Sequence, residues 1–295
     1  VVEQTIIDAT PRGDTPPEST RHFDFSGTED SACILRGLHL INGTYKDSVG
    51  GAILGNGTGA TIEYCLIENN EAKVKSEDPL SGFSAGGAIY DVDGDIRGNI
   101  IRNNYATLGG GGLYGCDGLI VGNTIAGNSI GTEKLSAPGA GLAYCDGVIL
   151  NNIIEGNSTS CTGGGLAYCD AFLLYNTIRN NSASKGGGVA DTDELIYGNR
   201  IYGNSGGTGG GLFECDGRIL NNFIYLNNAG WGGGLEGCKG VIANNTITLN
   251  RAVLGGGLAN CVETDPSVPT VITNCIIWGN LVDSDPGAEP AQIYH

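Results

Sequence analysis

The sequence predicts an all-β protein, a parallel β-helix (solenoid) built from rungs of about 23 residues. A glycine-rich motif recurs along the chain, and an Asn- and Ile-rich motif follows each copy. Equivalent residues also form rows from one copy to the next, as coils stacked about 4.8 Å apart require. We therefore expect one elongated domain over 1–295, because a repeat protein of this length can share a single core.

The glycine motif sets the repeat length. It reads GGGLYGCDG from Gly110 and GGGLAYCDA from Gly163, and then recurs every 23 residues, at Gly186, Gly209, Gly232 and Gly255. Glycine weakens a strand interior, so three in a row need a conformational reason. They predict a tight corner, where the backbone takes positive φ or approaches another backbone closely, and a smooth flat face.

The second motif, for example NNIIEGN from Asn151, alternates polar and apolar residues with period 2 and therefore predicts strand. Ile149 and Ile154 should lie on the interior faces of two short strands separated by a bend. One row predicts the apolar core: Ile101, Ile125, Ile154, Ile178, Ile201, Ile224, Ile247 and Ile277. Two further rows predict amide ladders. One comprises Asn104, Asn128, Asn157, Asn181, Asn204, Asn227, Asn250 and Asn280. The other comprises Asn99, Asn123, Asn152, Asn176, Asn199, Asn222 and Asn245, and Cys65 and Cys275 replace Asn at its two ends. Their side chains should hydrogen-bond along the stack and to the backbone at the bends.

The repeat also predicts the organisation of the chain. We expect irregular N-terminal rungs over 1–49, regular rungs over 50–280 and a C-terminal tail over 281–295. Two insertions, 71–85 and 129–138, interrupt one corner two rungs apart, and they would wall a notch about 10 Å wide over the 105–109 turn. The alternative is that they are tolerated loop decoration.

These motifs resemble the right-handed parallel β-helix proteins of the pectin-lyase-like superfamily. The pairing of GGAI from Gly86 with IRNN from Ile101 is similar to the repeat of polymorphic outer-membrane proteins, and the opening TIIDA from Thr5 resembles bacterial cell-surface β-helix proteins. The resemblance covers nearly the whole chain and implies a right-handed β-helix. It implies little about activity, because one fold hosts many functions.

Charge and composition restrict the partners. The chain has 15 Lys and Arg against 32 Asp and Glu, a formal charge of -17. Such a chain repels phosphate backbones and anionic membranes, so no nucleic acid and no membrane insertion of this segment are expected. The chain opens at Val1 without a basic and apolar leader and contains no Met, which indicates a mature, secreted chain at the cell surface or outside the cell.

Catalytic motifs of the resembled enzymes are missing. Hydrolases of that superfamily use paired Asp residues near Gly-His-Gly, and the lyases use a basic residue beside calcium-bound Asp. The three histidines are His22, His39 and His295, and no Gly-His-Gly occurs. We therefore predict no catalytic and no cofactor-binding residue, although unfamiliar acid–base constellations leave a polysaccharide lyase or hydrolase as an alternative.

One row of carboxylates is the candidate metal site: Asp93, Asp117, Asp146, Asp170, Asp193 and Asp216. Carboxylates at rung spacing repel one another, and calcium, which prefers oxygen ligands, would relieve the repulsion. The alternative is ordinary Asp-Gly turn chemistry, in which each carboxylate caps a backbone N–H. Lys239 interrupts the row, which argues against a continuous metal channel.

Six of the ten cysteines share one repeat position: Cys116, Cys145, Cys169, Cys215, Cys238 and Cys261. Free thiols used as small buried hydrophobic groups are the preferred interpretation, and disulfides between rungs remain open.

The leading functional hypothesis is a non-catalytic extracellular scaffold, structural or adhesive, with end-to-end assembly into a filament as a further expectation. Binding of a cell-surface or extracellular glycan is an alternative, and it requires aromatic side chains that cluster outward. Tyr114, Tyr144 and Tyr168 lie close together by repeat position, offset by one residue, and packing or decoration of the edge explains them equally well.

Overall fold

Four parallel sheets run along the axis of the molecule. The computed structural model describes residues 5–10, 20–46, 48–74, 84–131, 137–262, 269–283 and 293–294. Within these ranges all regular structure is strand, the paired strands are parallel, and no helix is long and apolar enough to span a membrane. The prediction of an all-β parallel β-helix is confirmed.

Each full rung contributes one strand to sheets 1, 2 and 3, in that order, and then one to sheet 4, except that the rung containing Ser158 reaches sheet 4 only through single bridges. Sheet 1 follows the glycine run and comprises Phe23–Asp24, Ile53–Thr58, Ile89–Val92, Leu113–Tyr114, Leu142–Ala143, Leu166–Ala167, Val189–Ala190, Leu212–Phe213, Leu235–Glu236, Leu258–Ala259 and Ile293–Tyr294. Sheet 2 comprises Ile34–Arg36, Thr61–Glu63, Ile96–Arg97, Leu119–Val121, Val148–Leu150, Phe172–Leu174, Leu195–Tyr197, Arg218–Leu220, Val241–Ala243 and Val271–Thr273.

The remaining strands belong to the Ile motif and to the segment before the next glycine run. Sheet 3 comprises Thr5–Asp8, Leu38–Ile41, Leu66–Glu68, Ile100–Arg102, Thr124–Ala126, Ile153–Glu155, Thr177–Arg179, Arg200–Tyr202, Phe223–Tyr225, Thr246–Thr248 and Ile276–Trp278. Sheet 4 has two parts: Thr44–Lys46, Glu71–Lys73, Tyr105–Ala106 and Ser129–Ile130, then Ser182–Lys185, Ser205–Thr208, Asn228–Trp231, Arg251–Leu254 and Leu281–Val282. Single bridges through Ser158 connect the two parts.

The core is a continuous column of aliphatic side chains. Ile149 and Ile154 are fully buried on consecutive strands, as predicted, and the register pairs Ile125 with Ile154 and Ile154 with Ile178. Seven members of the Ile row are fully buried, whereas Ile277, in the last rung, is only partly buried against the core. Burial of each such side chain stabilises the fold by about 1.5–3 kcal/mol.

Both Asn rows form the predicted ladders. The side chain of Asn152 donates to the carbonyl of Ile120 at 2.8 Å and to Oδ1 of Asn176 at 3.0 Å. The ladder through Asn104 begins one rung earlier than predicted, because Asn70 occupies the same position and its Nδ2 donates to Oδ1 of Asn104. All these amides are buried, so the ladders satisfy backbone groups that water cannot reach.

The glycine run is the predicted tight corner but forms no outer face. Gly163 has φ of 70°, and Gly164 and Gly165 are buried against the next rung. A Cβ on Gly165 would lie 2.5 Å from the carbonyl oxygen of Gly188. The prediction of a smooth glycine surface is wrong, because backbone from adjacent rungs fills the space.

Candidate functional site

A run of outward side chains along sheet 1 is the most distinctive surface feature. We call it the Tyr–acid stripe and define it by its seven residues: Tyr90, Tyr114, Tyr144, Tyr168, Asp191, Glu214 and Glu236. They occupy two adjacent columns, one on the strands and one on the residue that follows each strand.

The second column has an unusual backbone. Tyr144, Tyr168, Asp191 and Glu214 have φ of 51°, 53°, 49° and 46°. Gly115 and Gly237 fill the same position in other rungs, so the turn itself requires the left-handed conformation. Bulky and charged residues are strained in this conformation, whereas glycine is not. The four non-glycine residues therefore carry a conformational cost at this position.

The four tyrosines form an unbroken aromatic run. Ring centroids of Tyr90 and Tyr114 are 5.3 Å apart with planes at 7°, and those of Tyr144 and Tyr168 are 5.4 Å apart at 12°. Tyr114 and Tyr144 connect the two pairs at 5.2 Å and 56°. Tyr144 and Tyr168 are 40% and 37% exposed, so this part of the run is available to a ligand. The prediction that Tyr114, Tyr144 and Tyr168 lie together is confirmed.

Three carboxylates continue the stripe beyond Tyr168. The backbone N–H of Asp191 donates to the carbonyl of Phe213 at 3.0 Å, and that of Glu214 donates to the carbonyl of Glu236 at 2.9 Å. Asp191 and Glu214 therefore occupy equivalent positions in neighbouring rungs, about 4.8 Å apart. Burial, and then the charge of Glu214, raises the pKa of Asp191 to about 6.

Glu236 is the most enclosed of the three acids. The residue is 8% exposed, and burial raises the pKa of its carboxyl, with a further contribution from Glu214. Its Oε1 accepts a hydrogen bond from the amide of Asn260 at 3.2 Å. Its Oε2 is buried without a hydrogen-bond partner in the described part of the chain.

An alkylammonium group and an aromatic ring complete this end of the stripe. The ammonium nitrogen of Lys185 lies 5.3 Å from the ring centroid of Phe213, within cation–π range. The charge of Lys185 also opposes the rise in the pKa of Asp191 and Glu236. Ala167, Ala190 and Phe213 form a small apolar cluster of their own. Along the stripe the side chains thus change from aromatic to acidic, and the apolar cluster of Ala167, Ala190 and Phe213 lies beside them.

The predicted Asp row lies at the next corner, where all six side chains are exposed. Each carboxylate accepts a backbone N–H from the following rung: Oδ1 of Asp117 accepts that of Asp146, and Oδ1 of Asp146 accepts that of Asp170, both at 3.0 Å. Lys239 continues the pattern, since its N–H donates to Asp216. The described residues contain no group of three or more His, Cys, Asp or Glu arranged to hold a metal ion. The geometry is that of turn capping, and calcium at these residues stays a prediction.

The cysteine row is internal. The six cysteines that share one repeat position are free thiols, and all six are buried. Each thiol in that row lies near the carbonyl oxygen two residues earlier, as Cys169 does with Ala167 at 3.4 Å. Burial raises the pKa of Cys145, Cys215 and Cys238 well above the ordinary value. The interpretation as small buried hydrophobic groups is confirmed.

The corner between sheets 3 and 4 carries two shallow polar grooves that share Asn103. One, of about 440 Å³, lies between Thr10 and Tyr105, and the other, of about 410 Å³, lies between Arg102 and Asn180. Polar side chains, mainly Asn and Thr, line the first groove, and turn residues that include Gly127 and Gly156 line the second. Neither groove contains an enclosed or unpaired charged group in the part of the chain that the structure describes.

The two insertions lie mainly outside the described residues, which omit 75–83 and 132–136. Their described flanks leave the 105–109 turn covered, because Ala106, Thr107 and Leu108 are buried. The predicted notch depends on walls formed by these two insertions, so it stays a prediction. The Pro-bearing segments 11–17 and 286–290 also lie outside the described residues.

Sequence reasoning did not single out Asp191, Glu214 or Glu236. The available signal was a departure from the repeat: YC in GGGLAYCDA becomes DT in GGGVADTDE and EC in GGGLFECDG. The fold and this stripe define the chain as a parallel β-helix with an aromatic and acidic outer edge. Comparison of the chain with protein-family models, curated proteins and solved structures found no match.

Proposed function

We propose that the chain is a non-catalytic extracellular scaffold of the cell surface, related to the pectin-lyase-like β-helix proteins, that holds glycans along the Tyr–acid stripe. The stacked tyrosine run supports the proposal, because aromatic side chains pair a large apolar area with a polar edge and are rigid when stacked. A rigid solenoid presents such a run along an extended surface. The acidic surface favours neutral or basic glycans over uronic acid polymers.

Affinity electrophoresis in gels that contain neutral or amino polysaccharides tests this proposal. Tyr144→Asn and Tyr168→Asn should each weaken retardation by at least fivefold, because each removes an exposed ring. Asn tolerates the left-handed backbone, and Asn260 occupies the same column. The matched control is Tyr175→Asn, which removes a 54% exposed tyrosine of similar φ on another corner. Equal loss in all three variants, or no retardation of the wild type, would overturn the proposal.

A polysaccharide hydrolase is the second candidate, and the pair Asp191 and Glu214 favours it. A carboxyl whose pKa is about 6 is partly protonated near neutral pH and can act as a general acid, and the carboxyl of Glu214 lies in the neighbouring rung. Release of reducing ends near pH 5.5 that Asp191→Asn abolishes without loss of glycan binding would establish this activity.

End-to-end assembly belongs to the scaffold proposal. Core side chains of the terminal rungs, Ile7 and Leu35 at one end and Ile272 and Ile277 at the other, are only partly buried. A second copy stacked on either end would bury them further. Light scattering at increasing concentration tests this, and a monodisperse monomer throughout would contradict it.

A further inference from the structure

The acidic end of the stripe contains a hydrogen-bond acceptor with no donor. Oε2 of Glu236 is buried without a partner in the described chain, although Oε1 of the same group is held by Asn260. A buried polar atom without a hydrogen bond costs about 1–3 kcal/mol, and more when it is charged. The native fold therefore carries this energetic cost at Glu236, on the Tyr–acid stripe.

The charges around this atom do not balance. The charge of Glu214 raises the pKa of both Asp191 and Glu236, and the charge of Lys185 lowers the pKa of both. When all three carboxylates are ionised, one ammonium leaves an excess of two negative charges. A cationic ligand relieves that excess, whereas an anionic ligand increases it.

The residues present already accommodate an alkylammonium ion. Lys185 is exposed, and its ammonium lies over the Phe213 ring, which is 5% exposed. A long, exposed lysine is readily displaced, because its side chain regains rotamer freedom when it leaves. An ammonium group from a ligand can then take its place beside the carboxylates.

We propose that the segment of the stripe from Tyr168 to Glu236 binds an amino sugar, its ammonium group paired with the carboxylates and its ring packed against Tyr168. This inference rests on the glycan-binding function proposed above and names the glycan class, a polymer with free amino groups. The segment spans three rung steps, about 14 Å by strand spacing. The adjoining ring of Tyr168 favours a sugar over a lysine-rich peptide. The tyrosine run extends from the acidic end and provides further rings against which sugar units can pack.

The test is calorimetric titration at pH 6.5 with three oligosaccharides of equal length: glucosamine, N-acetylglucosamine and galacturonate oligomers. We expect the glucosamine oligomer to bind at least tenfold more tightly than its N-acetylated counterpart and the galacturonate oligomer not to bind. Binding should weaken as salt screens the ion pairs. Equal affinity for both amino-sugar oligomers would overturn this inference and leave the proposed glycan-binding function intact. Absence of binding to every glycan would instead overturn both.

Variants separate the acidic end from general charge effects. Glu236→Gln and Glu214→Gln should each reduce the preference for glucosamine by at least fivefold, whereas Lys185→Gln should increase it because the competing ammonium is gone. The matched control is Glu155→Gln, which removes a carboxylate paired with Arg179 on another sheet and should not change the preference. Thermal melts verify that each variant is folded. A lysine hexamer that binds as tightly as the glucosamine oligomer would overturn the assignment to a sugar.

Discussion

Oδ1 of Asn128 accepts two hydrogen bonds from Asn104, one from its backbone N–H and one from its side-chain amide, both at 3.0 Å. Asn104 in turn accepts the same two bonds from Asn70. Each amide therefore fixes its own turn and the turn of the preceding rung. This coupling makes the ladder the polar counterpart of the Ile column.

Removal of one ladder amide should destabilise the whole solenoid. We expect Asn104→Ala to lower the free energy of unfolding by about 2–5 kcal/mol, because buried groups of Asn70, Ile67 and Asn128 lose partners. The adjacent Asn103→Gly is the control, since Gly127 occupies that position in the next rung, and it should change stability by less than about 1 kcal/mol. Urea denaturation measures both. Similar losses in the two variants would show that the ladder bonds are not the cause.

Substitution within the glycine run should be more damaging than substitution at a glycine that only needs positive φ. We expect Gly165→Ala to cost more than about 3 kcal/mol, because its Cβ would lie 2.5 Å from the oxygen of Gly188. Gly122→Ala, with φ of 65° and no atom within 4 Å of the added Cβ, should cost about 1–2 kcal/mol. Thermal unfolding of both variants compares the cost of a steric clash with the cost of backbone strain. A larger loss of stability in Gly122→Ala than in Gly165→Ala would contradict the close approach of Gly165 to Gly188.

The buried thiols should be unreactive in the native protein. Burial holds the pKa of Cys145, Cys215 and Cys238 above its ordinary value, so the reactive thiolate is scarce, and the reagent also lacks access. Alkylation followed by mass spectrometry at pH 8 should modify Cys33 and Cys275, which are partly exposed, and spare these three until urea is added. Rapid native modification of Cys215 would contradict the placement of this row.

Stability should fall with rising pH in proportion to the ionisation of Asp191. Its pKa in the folded protein, about 6, lies above the ordinary value of 3.8, so the folded state binds this proton more tightly than the unfolded state. The resulting destabilisation is complete above about pH 6, declines below it and is absent below the ordinary pKa. Asp191→Asn should therefore raise the free energy of unfolding by about 1 kcal/mol at pH 8, after allowance for solvent screening, and this pH-dependent gain should vanish near pH 3.5.

Asp193→Asn is the matched control for this pH dependence. Asp193 is exposed two residues away, and an amide oxygen can replace its carboxylate as the acceptor for the N–H of Asp216. We expect this variant to reduce the pH dependence less than Asp191→Asn does, because the charge of Asp193 raises the pKa of Asp191 less than burial and Glu214 do. A gain from Asp191→Asn that is independent of pH would indicate backbone preference alone.

The Asp row should behave as a set of turn caps. Asp146→Ala should cost about 1 kcal/mol, because the N–H of Asp170 loses its acceptor, whereas Asp146→Asn retains an acceptor and should match the wild type. Melts with millimolar calcium or with a chelator address the metal prediction directly. A calcium-dependent rise in melting temperature that Asp146→Asn removes would establish a metal site.

The periodic part of the molecule and the clustering of Tyr114, Tyr144 and Tyr168 could be predicted from the sequence, and the acidic end of the candidate site could not. Ile149 and Ile154, the amide ladders and the buried thiols occupy one environment in many rungs, so repetition amplifies their signal. Asp191 and Glu236 occur once each, and their environment depends on the side chains beside them. Contacts between neighbouring columns, such as that of Lys185 with the Phe213 ring, cannot be deduced from the repeat period.

From Gly163 to Gly255 each rung repeats after 23 residues with the same register, and each is held by the same bonds to its two neighbours. Duplication or deletion of one such unit would preserve the 23-residue period and the Asn ladder bonds at each junction, so the protein could be lengthened or shortened in whole steps. Each step would move the aromatic and acidic parts of the outer edge relative to the ends by a fixed increment. In a globular protein the shared core restricts chain length. In this solenoid the number of rungs can change without a change in the core of each rung.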